Sequence, residues 1–334
     1  MATIKEVAER AGVAPITVSR VVNNSGYVSK ATRERVEAAA AELEYVPNML
    51  ARSLRFNRTD TLALILTDIT NPFWTTVARG AEDASSNHGF NLILCNTDEQ
   101  DTKQEQYVTV LLRKRVDGFL YVPTNRSPDL LKTIQAQKIP VVVLDRVIEG
   151  VAVDAVRAAS EQGAYEAVKH LLELGHRDIA ALTGPIQVTS ATERISGYRR
   201  ALREWQLTEH DERIIYGEFT VESGYAMAHQ LLAANIDQRP TAFFAANNFI
   251  AIGALKALEE NRLHVPKDLS IASFDDLPAW SVAPFLTASI QPAYELGYQA
   301  TELLIKRIQH PATDGYQEIV LPTELVIRDS CQRR

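Results

Sequence analysis

The sequence predicts two folds in series: an all-α N-terminal segment with a helix-turn-helix, then an α/β body of two lobes built on doubly wound parallel sheets. Helical periodicity with capping signals over residues 3–44 predicts the first fold. Short apolar runs that alternate with helix-length segments from Thr61 onward predict the second. The length of 334 residues leaves room for two or three domains of about 150 residues each.

The composition is that of an ordinary globular protein, with 46% hydrophobic and 23% charged residues. The two cysteines, Cys95 and Cys331, do not indicate a disulfide framework. No apolar run reaches the roughly 18 residues of a membrane helix, and the charged N-terminus does not resemble a signal peptide. We therefore expect a protein of the reducing cytoplasm, without a membrane partner.

Charge is distributed unevenly along the chain. Residues 1–58 carry nine Lys/Arg against six Asp/Glu, a net of +3, which leaves −10 for the remainder of a chain whose total is −7. A small basic module on an acidic body suits phosphate contact at one end only. A difference of this size is also common on ordinary solvated surfaces.

Three helices are predicted in the N-terminal segment. Residues 3–6 have the spacing of a capping box, and Gly12 ends the first helix. Pro15 begins a second helix, and Ser29 caps a third over residues 30–44. The expected core valines are Val7, Val18 and Val36. This pattern fits a DNA-reading helix-turn-helix and a generic three-helix bundle equally well.

The residues themselves carry more information than the pattern. The stretch TIKEVAERAGVAPITVSRVVNN…VSKATRERVEAAAAELEYVPN closely resembles the N-terminal domain of the lactose-repressor (LacI/GalR) family. The resemblance implies that the second helix lies in the major groove of double-stranded DNA and that base edges are contacted by Pro15, Ile16 and Arg20. It implies phosphate contacts from Thr17, Ser19, Asn23 and Ser29. Arg20 suits a bidentate contact to guanine, whereas the first two residues offer apolar contact only, where relatives often have polar readers.

Residues 47–55 resemble the hinge helix of that family, which orders when two copies meet over DNA. By this resemblance Leu54 wedges into the minor groove, with Arg52 and Arg55 near phosphates. The DNA contacts implied here are Asn48, Ala51, Leu54 and Arg55. The alternative is a flexible linker with an exposed leucine.

The body is predicted to hold parallel sheets covered by helices on both faces. The predicted strands are 62–66, 91–95, 118–122, 141–144, 179–182, 242–245 and 270–274, and residues 214–216 are taken as a further strand that precedes Phe219. The predicted helices are 73–88, 101–115, 160–174, 191–205, 222–234, 247–261 and 293–309, the last crossing back to the first lobe. We expect a helix-turn-helix domain (1–46), a hinge and linker (47–60) and an effector-binding and dimerisation domain (61–334). Its lobes are about 61–160 plus 292–322 and about 161–290 plus 323–334.

Ligands of doubly wound sheets bind beyond the carboxyl ends of the strands, where this chain has aromatic, arginine, carboxylate and amide side chains. Such a mixture is typical of a sugar site. The segments NPFW, VVVLDR, ERISGYRRAL, FFAANNFIAIGALKAL and SIASFDD also resemble the same family and, through it, the periplasmic sugar-binding proteins. The effector contacts that this resemblance implies are Phe73, Trp74, Asp145, Arg146, Arg194, Phe219, Asn247, Asp275 and Gln291. The six polar residues among them are similar to the ribose-binding subset: Asp145, Arg146, Arg194, Asn247, Asp275 and Gln291. Ala159-Ser160 and Asn248 depart from the family pattern.

The resemblance implies a homodimeric, sequence-specific repressor of carbohydrate-metabolism genes, located at the bacterial nucleoid, with a near-palindromic operator. A small sugar-like effector in the cleft between the lobes is expected to control operator affinity, as inducer or corepressor. A neutral pentose or hexose is the first expectation, with a sugar acid, a sugar phosphate or a purine as alternatives. We expect no catalytic residues, cofactor or metal. A sugar-binding transport module and a sugar-modifying enzyme are the alternative functions.

Overall fold

The computed structural model of the protein describes residues 2–46, 58–208, 210–233, 239–276, 285–311 and 315–334. These residues belong to two compact units, Met1–Thr59 and Asp60–Arg334. Within the described ranges no helix is both long and apolar enough to cross a lipid bilayer.

The first unit is a three-helix bundle. Its helices are α1 (Ile4–Ala11), α2 (Pro15–Val22) and α3 (Lys30–Glu42). A small apolar core joins them, and its fully buried members include the predicted valines Val7, Val18 and Val36. The predicted helices and their inward-facing residues are therefore confirmed.

Local hydrogen bonds set the ends of these helices. At the start of α1, Thr3 Oγ1 accepts from the Glu6 amide at 3.4 Å, and the Glu6 carboxylate accepts from the Thr3 amide at 2.6 Å. Gly12 then takes a left-handed φ of 64°, which glycine adopts cheaply. Helix α3 ends two residues before the predicted 44, because Glu44 enters the left-handed region (φ 47°) and the amide of Tyr45 returns to the α3 backbone.

The second unit alternates strands and helices. Its first part contains β1 (Thr61–Leu66), α4 (Pro72–Asn87), β2 (Asn91–Asn96), α5 (Asp101–Lys114), β3 (Gly118–Tyr121), α6 (Asp129–Ala136), β4 (Val141–Leu144) and β5 (Asp154–Ala158). Its second part contains α7 (Ser160–Glu173), β6 (Ile179–Thr183), α8 (Thr189–Glu204), β7 (Ile214–Tyr216), α9 (Val221–Leu232), β8 (Ala242–Ala245), α10 (Asn248–Glu260) and β9 (Ser270–Phe274). The last elements are β10 (Thr287–Ile290), α11 (Ala293–Gln309), β11 (Glu318–Leu321) and β12 (Glu324–Val326). A short 3₁₀ helix, Asp211–Arg213, precedes β7.

The strands form two six-stranded sheets with the same plan. Their orders are β11-β5-β4-β3-β1-β2 and β12-β10-β9-β8-β6-β7. Neighbouring strands pair in parallel except β10 and β12, which are antiparallel. Strand β4 of the first sheet thus corresponds in position to β9 of the second. In the described segments the chain passes between the sheets after β5, after β10 and after β11.

The central strands are buried along nearly their whole length, which confirms the prediction of parallel sheets covered on both faces. The sequence did not predict β5, β10, β11, β12 or α6. Strands β11 and β12 are short edges that carry glutamates and stay partly exposed, so they lack the apolar run of a buried strand. Strand β5 is mostly buried but includes two charged residues, Asp154 and Arg157, so its sequence does not resemble a buried strand. These charges form ion pairs with Arg307 and Glu193 on other elements.

Helix α11 returns to the first sheet and packs against α4. Two glycines allow the backbones to meet. A Cβ atom on Gly80 would lie 2.0 Å from Tyr294 O, and one on Gly297 would lie 1.9 Å from Val77 O. This contact holds the first lobe together across more than two hundred residues of sequence.

Candidate functional site

The three-helix bundle of the first unit, here called the headpiece, exposes its three predicted base-contacting side chains to solvent. Pro15 begins α2, and Ile16 is 49% exposed. Arg20 lies one turn further along α2 and is exposed. Its side chain passes close to Gly26, since a Cβ atom added to that glycine would lie 3.7 Å from Arg20 Cδ. An apolar surface followed by one guanidinium is therefore available to a groove of DNA.

The predicted phosphate contacts lie on α2 and at helix ends. Thr17 and Ser19 are half-buried on α2. Asn23 caps the end of α2 and donates to Ser19 O at 2.8 Å, while Ser29 Oγ caps α3 by accepting from the amide of Thr32 at 3.3 Å. Both caps have a structural role, and their contact with phosphate stays a prediction. The predicted hinge contacts lie outside the described residues: Asn48, Ala51, Leu54 and Arg55.

The second unit contains a cleft of about 620 Å³ at the carboxyl ends of the strands of both sheets. All nine predicted effector contacts line it: Phe73, Trp74, Asp145, Arg146, Arg194, Phe219, Asn247, Asp275 and Gln291. The order of the strands explains this convergence, because parallel strands direct their following loops to one edge of each sheet.

Two buried aspartates face the cleft, one from each sheet. Asp145 follows β4 and Asp275 follows β9, and both take a left-handed φ, 62° and 63°. Asp275 accepts from the Gln291 side-chain amide at 2.8 Å. Burial raises the pKa of Asp275 to about 6, although the charge of Arg194 and the bond from Gln291 oppose the shift.

Two buried arginines supply the opposite charge. Arg146 donates to both oxygens of Glu99, with Nη1 at 2.7 Å from Oε2, and also to Pro123 O at 2.9 Å. Burial is the largest single influence on the pKa of Arg146 and lowers it. The carboxylates of Glu99 and Asp145 together raise this pKa by more, so the pKa of Arg146 lies above its ordinary value.

Arg194 has a different environment. Its guanidinium stacks 3.9 Å from the ring centroid of Phe274 and donates to Ala246 O at 2.7 Å. Burial is the largest influence and lowers the pKa of Arg194, although the charges of Asp145 and Asp275 oppose it. The side chain is therefore held by a ring and a carbonyl, without a direct carboxylate partner among the described residues.

Aromatic rings form the apolar walls. Phe73 and Trp74 meet edge to face with centroids 4.8 Å apart. Phe219 lies 6.0 Å from the guanidinium carbons of both arginines. Its position depends on Gly184, because a Cβ atom there would lie 2.4 Å from the Phe219 ring. The cleft thus offers flat faces beside charged hydrogen-bonding groups.

Five polar atoms of the lining residues are buried without a hydrogen-bond partner among the described residues. They are Thr67 Oγ1, Asp145 Oδ1, Arg146 Nε, Arg194 Nε and Gln291 Oε1. Buried polar atoms in proteins are nearly always satisfied, so two donors, two acceptors and one hydroxyl here are available to a polar ligand or to water.

Asn247 and Asn248 have separate roles. Asn247 caps α10 through its side-chain oxygen, which accepts from Ile250 at 2.8 Å. Asn248 and Asn71 exchange two hydrogen bonds of 3.0 Å between their amides and so join the two lobes. Asp276, which follows Asp275, is turned away and forms a bidentate ion pair with Arg328.

The cleft is also lined by residues that were not predicted from the sequence, among them Glu99, Asp98, Glu218 and Ser190. Asp98 and Glu99 follow β2, and Glu218 follows β7. Residues beyond the carboxyl end of a strand line the cleft, and this rule also finds Asp98 and Glu99 when it is applied to β2. After β7 the same rule selects Phe219, and Glu218 is the residue directly before it.

Two family models match the chain. Residues 3–48 match the bacterial regulatory proteins of the lacI family, and residues 168–331 match a periplasmic binding protein-like domain. A curated relative is the HTH-type transcriptional repressor PurR of Vibrio atlanticus (strain LGP32), which is 39% identical over 311 residues, 92% of each chain.

Solved structures are similar over most of the chain. The lac repressor dimer bound to operator and the anti-inducer ONPF has 29% identity and a TM-score of 0.86, and the match covers 99% of both chains. A LacI family transcriptional regulator from Enterococcus faecium with bound ribose has 34% identity and a TM-score of 0.73, over 81% of this chain and 98% of that one.

These matches decide between the functions left open by the sequence. The curated relative is named as a transcriptional repressor, so neither the transport nor the enzyme alternative is supported. The N-terminal match and the operator-bound neighbour support a dimer that binds operator DNA and is controlled by a small-molecule effector. The chain belongs to the lacI family of bacterial regulatory proteins and is a DNA-binding transcriptional repressor.

Proposed function

We propose that the effector is a small neutral sugar, a pentose or a hexose, which binds in the cleft and controls the repression of carbohydrate-metabolism genes. One observation carries the proposal: aromatic walls stand beside five buried polar atoms without a partner among the described residues, namely two donors, two acceptors and the hydroxyl of Thr67. A sugar ring matches both, because its C–H faces pack on aromatic rings and its hydroxyls both donate and accept. The related regulator with bound ribose supports the same class of ligand.

Within this proposal the aromatic side chains pack against the sugar ring and the polar side chains bind its hydroxyls. Phe73, Trp74 and Phe219 sandwich the ring. The hydroxyls bind the polar set Asp145, Arg146, Arg194, Asn247, Asp275 and Gln291. Asp145 and Asp275 approach from different sheets, so one ligand would hold both lobes in a single arrangement and change the fraction of protein competent for DNA.

For the DNA side we propose base contacts from Pro15, Ile16 and Arg20 and phosphate contacts from Thr17, Ser19, Asn23 and Ser29. Asn48, Ala51, Leu54 and Arg55 complete the set as minor-groove and hinge contacts. This assignment rests on a headpiece of residues 1–46, a hinge of 47–60 and an effector domain of 61–334. Such a repressor works in the cytoplasm, at the nucleoid.

The experiment has two parts. A thermal-shift screen of neutral sugars, sugar phosphates and nucleosides identifies the ligand class, since a ligand that binds the folded state raises Tm. Selection from random duplexes then yields an operator, and its affinity is titrated with and without the ligand. A neutral sugar that raises Tm and changes operator affinity supports the proposal. A nucleoside as the only ligand, or a sugar without effect on the operator, contradicts it.

A further inference from the structure

The loop after β2 directs an acid into the cleft. Asp98 and Glu99 take left-handed φ values of 51° and 56° in succession, a conformation that is costly for residues with a Cβ atom. Asp98 is fixed there by Asn96 and Lys103. Strained backbone of this kind persists where the surroundings enforce it, often at ligand sites.

The strained turn brings Glu99 onto Arg146. Both terminal nitrogens of the guanidinium donate to the two carboxylate oxygens, and Nη1 also donates to Pro123 O. The side chain of Arg146 is 6% exposed, whereas that of Glu99 is 33% exposed at the cleft. The two terminal nitrogens of a guanidinium form a planar fork that can bind a phosphate or carboxylate ligand through two parallel hydrogen bonds. In Arg146 this fork is already occupied by the carboxylate of Glu99. Of the three guanidinium nitrogens of Arg146, only Nε lacks a hydrogen-bond partner among the described residues.

The other arginine among the described lining residues, Arg194, is held by a carbonyl and a ring. Arg194 uses one terminal nitrogen on Ala246 O and stacks on Phe274. Six carboxylates line the cleft against these two arginines: Asp68, Asp98, Glu99, Asp145, Glu218 and Asp275. A neutral polyol needs single donors and acceptors, which the cleft supplies, whereas an anion would displace Glu99 or remain beside uncompensated negative charge.

We propose that Glu99 is a specificity-determining residue, which excludes phosphorylated and acidic effectors by occupying the guanidinium fork of Arg146. The proposal rests on the cleft being the effector site. Discrimination then comes from an internal competitor as well as from favourable contacts to the accepted ligand.

The test compares D-ribose with D-ribose 5-phosphate by isothermal titration calorimetry on the full-length protein. The variant is Glu99→Gln, which keeps the size of the side chain and removes its charge. The matched control is Glu218→Gln, which removes one charge from the same cleft and leaves the Arg146–Glu99 pair intact. We expect E99Q to strengthen phosphate-ester binding about tenfold or more, and E218Q to change it by no more than about threefold.

Inorganic phosphate is a second probe that does not depend on the identity of the effector. It should raise the Tm of E99Q and leave those of the wild type and E218Q unchanged. If E99Q does not fold, Glu99→Asp withdraws the carboxylate from the fork and keeps its charge, with a smaller gain expected. Equal gains in E99Q and E218Q, or no gain in a folded Glu99 variant, overturn the proposal. A gain in phosphate binding without any sugar ligand contradicts the neutral-sugar function alone.

Discussion

Asp145 and Asp275 occupy equivalent positions in the two lobes. Each is the first residue after its strand, β4 or β9, and each donates its amide to the neighbouring strand, to Val156 O at 3.0 Å and to Ser289 O at 2.9 Å. Each is also left-handed and nearly fully buried. The repeated plan of the sheets therefore presents one carboxylate to the cleft from each side.

Ionisation of Asp275 is expected to affect the stability of the protein and its affinity for the ligand in opposite directions. Its folded pKa of about 6 lies above the ordinary 3.8, so its contribution to stability is complete below pH 3.8 and is lost as the pH rises through about 6. We expect the stability of the wild type to fall over this range relative to that of Asp275→Asn, as measured by urea unfolding at several pH values. Parallel curves for the two proteins would contradict the prediction.

Ligand affinity should show the opposite trend. An ionised Asp275 accepts hydroxyl hydrogen bonds more strongly, so the affinity for the sugar is expected to rise between pH 5 and 7. Asp275→Asn should bind about 10- to 100-fold more weakly at pH 7, with a flatter profile. Calorimetric titrations at each pH measure both quantities, and a wild-type affinity that falls with pH would refute the assignment.

Arg20 is expected to carry sequence discrimination in the headpiece. Arg20→Ala should lose about 1–3 kcal/mol of affinity for the selected operator and little for random duplex. Thr17→Ala is the comparison, because loss of a phosphate contact weakens both duplexes alike. Fluorescence anisotropy at fixed salt measures the four affinities. An equal loss on both duplexes for R20A would remove Arg20 from base recognition.

The Asn71–Asn248 pair is expected to stabilise the arrangement of the lobes. Asn248→Ala leaves the amide of Asn71 without its partner, which costs about 1–3 kcal/mol when the group is buried. We expect weaker ligand binding and a smaller effect of the ligand on operator affinity. Asn261→Ala, at the end of α10 and distant from the cleft lining, is the control. Unchanged ligand binding in N248A would show that the pair has no part in closure.

The contact between α4 and α11 gives a prediction on stability. Gly80→Ala places a methyl group within 2.0 Å of Tyr294 O, so the helices must separate, and we expect a loss of about 3 kcal/mol or more. Gly89→Ala meets open space but sits at φ 74°, so its loss should be about 1 kcal/mol. Urea unfolding compares the two variants. Similar values would mean that α11 adjusts freely.

The sequence predicted the fold where local chemistry decides it. The capping box at Thr3, the turn at Gly12 and the apolar runs of β1, β4 and β9 are all local signals. Strand β11 (EIVL) is polar enough to be read as loop, and it is a strand because β5 pairs with it. Its identity depends on a partner about 160 residues away, which no local window contains.

Prediction of the site residues from the sequence is limited in the same way. Residues that directly follow a predicted strand, such as Asp145 and Asp275, were found by position along the chain. Asp276 has the same chemistry one residue later, yet it pairs with Arg328 on another segment. The ion pair between Glu99 and Arg146 joins loops after different strands, so only the folded chain reveals it.

The repeated passage of the chain between the sheets affects how the protein can be made. Strands β11 and β12 complete the edges of different sheets, yet they are separated by only two residues. On the ribosome neither lobe has all its strands until β11 and β12 have been synthesised. A frameshift or premature stop codon before residue 318 therefore damages both lobes at once, and no shorter product retains an intact half.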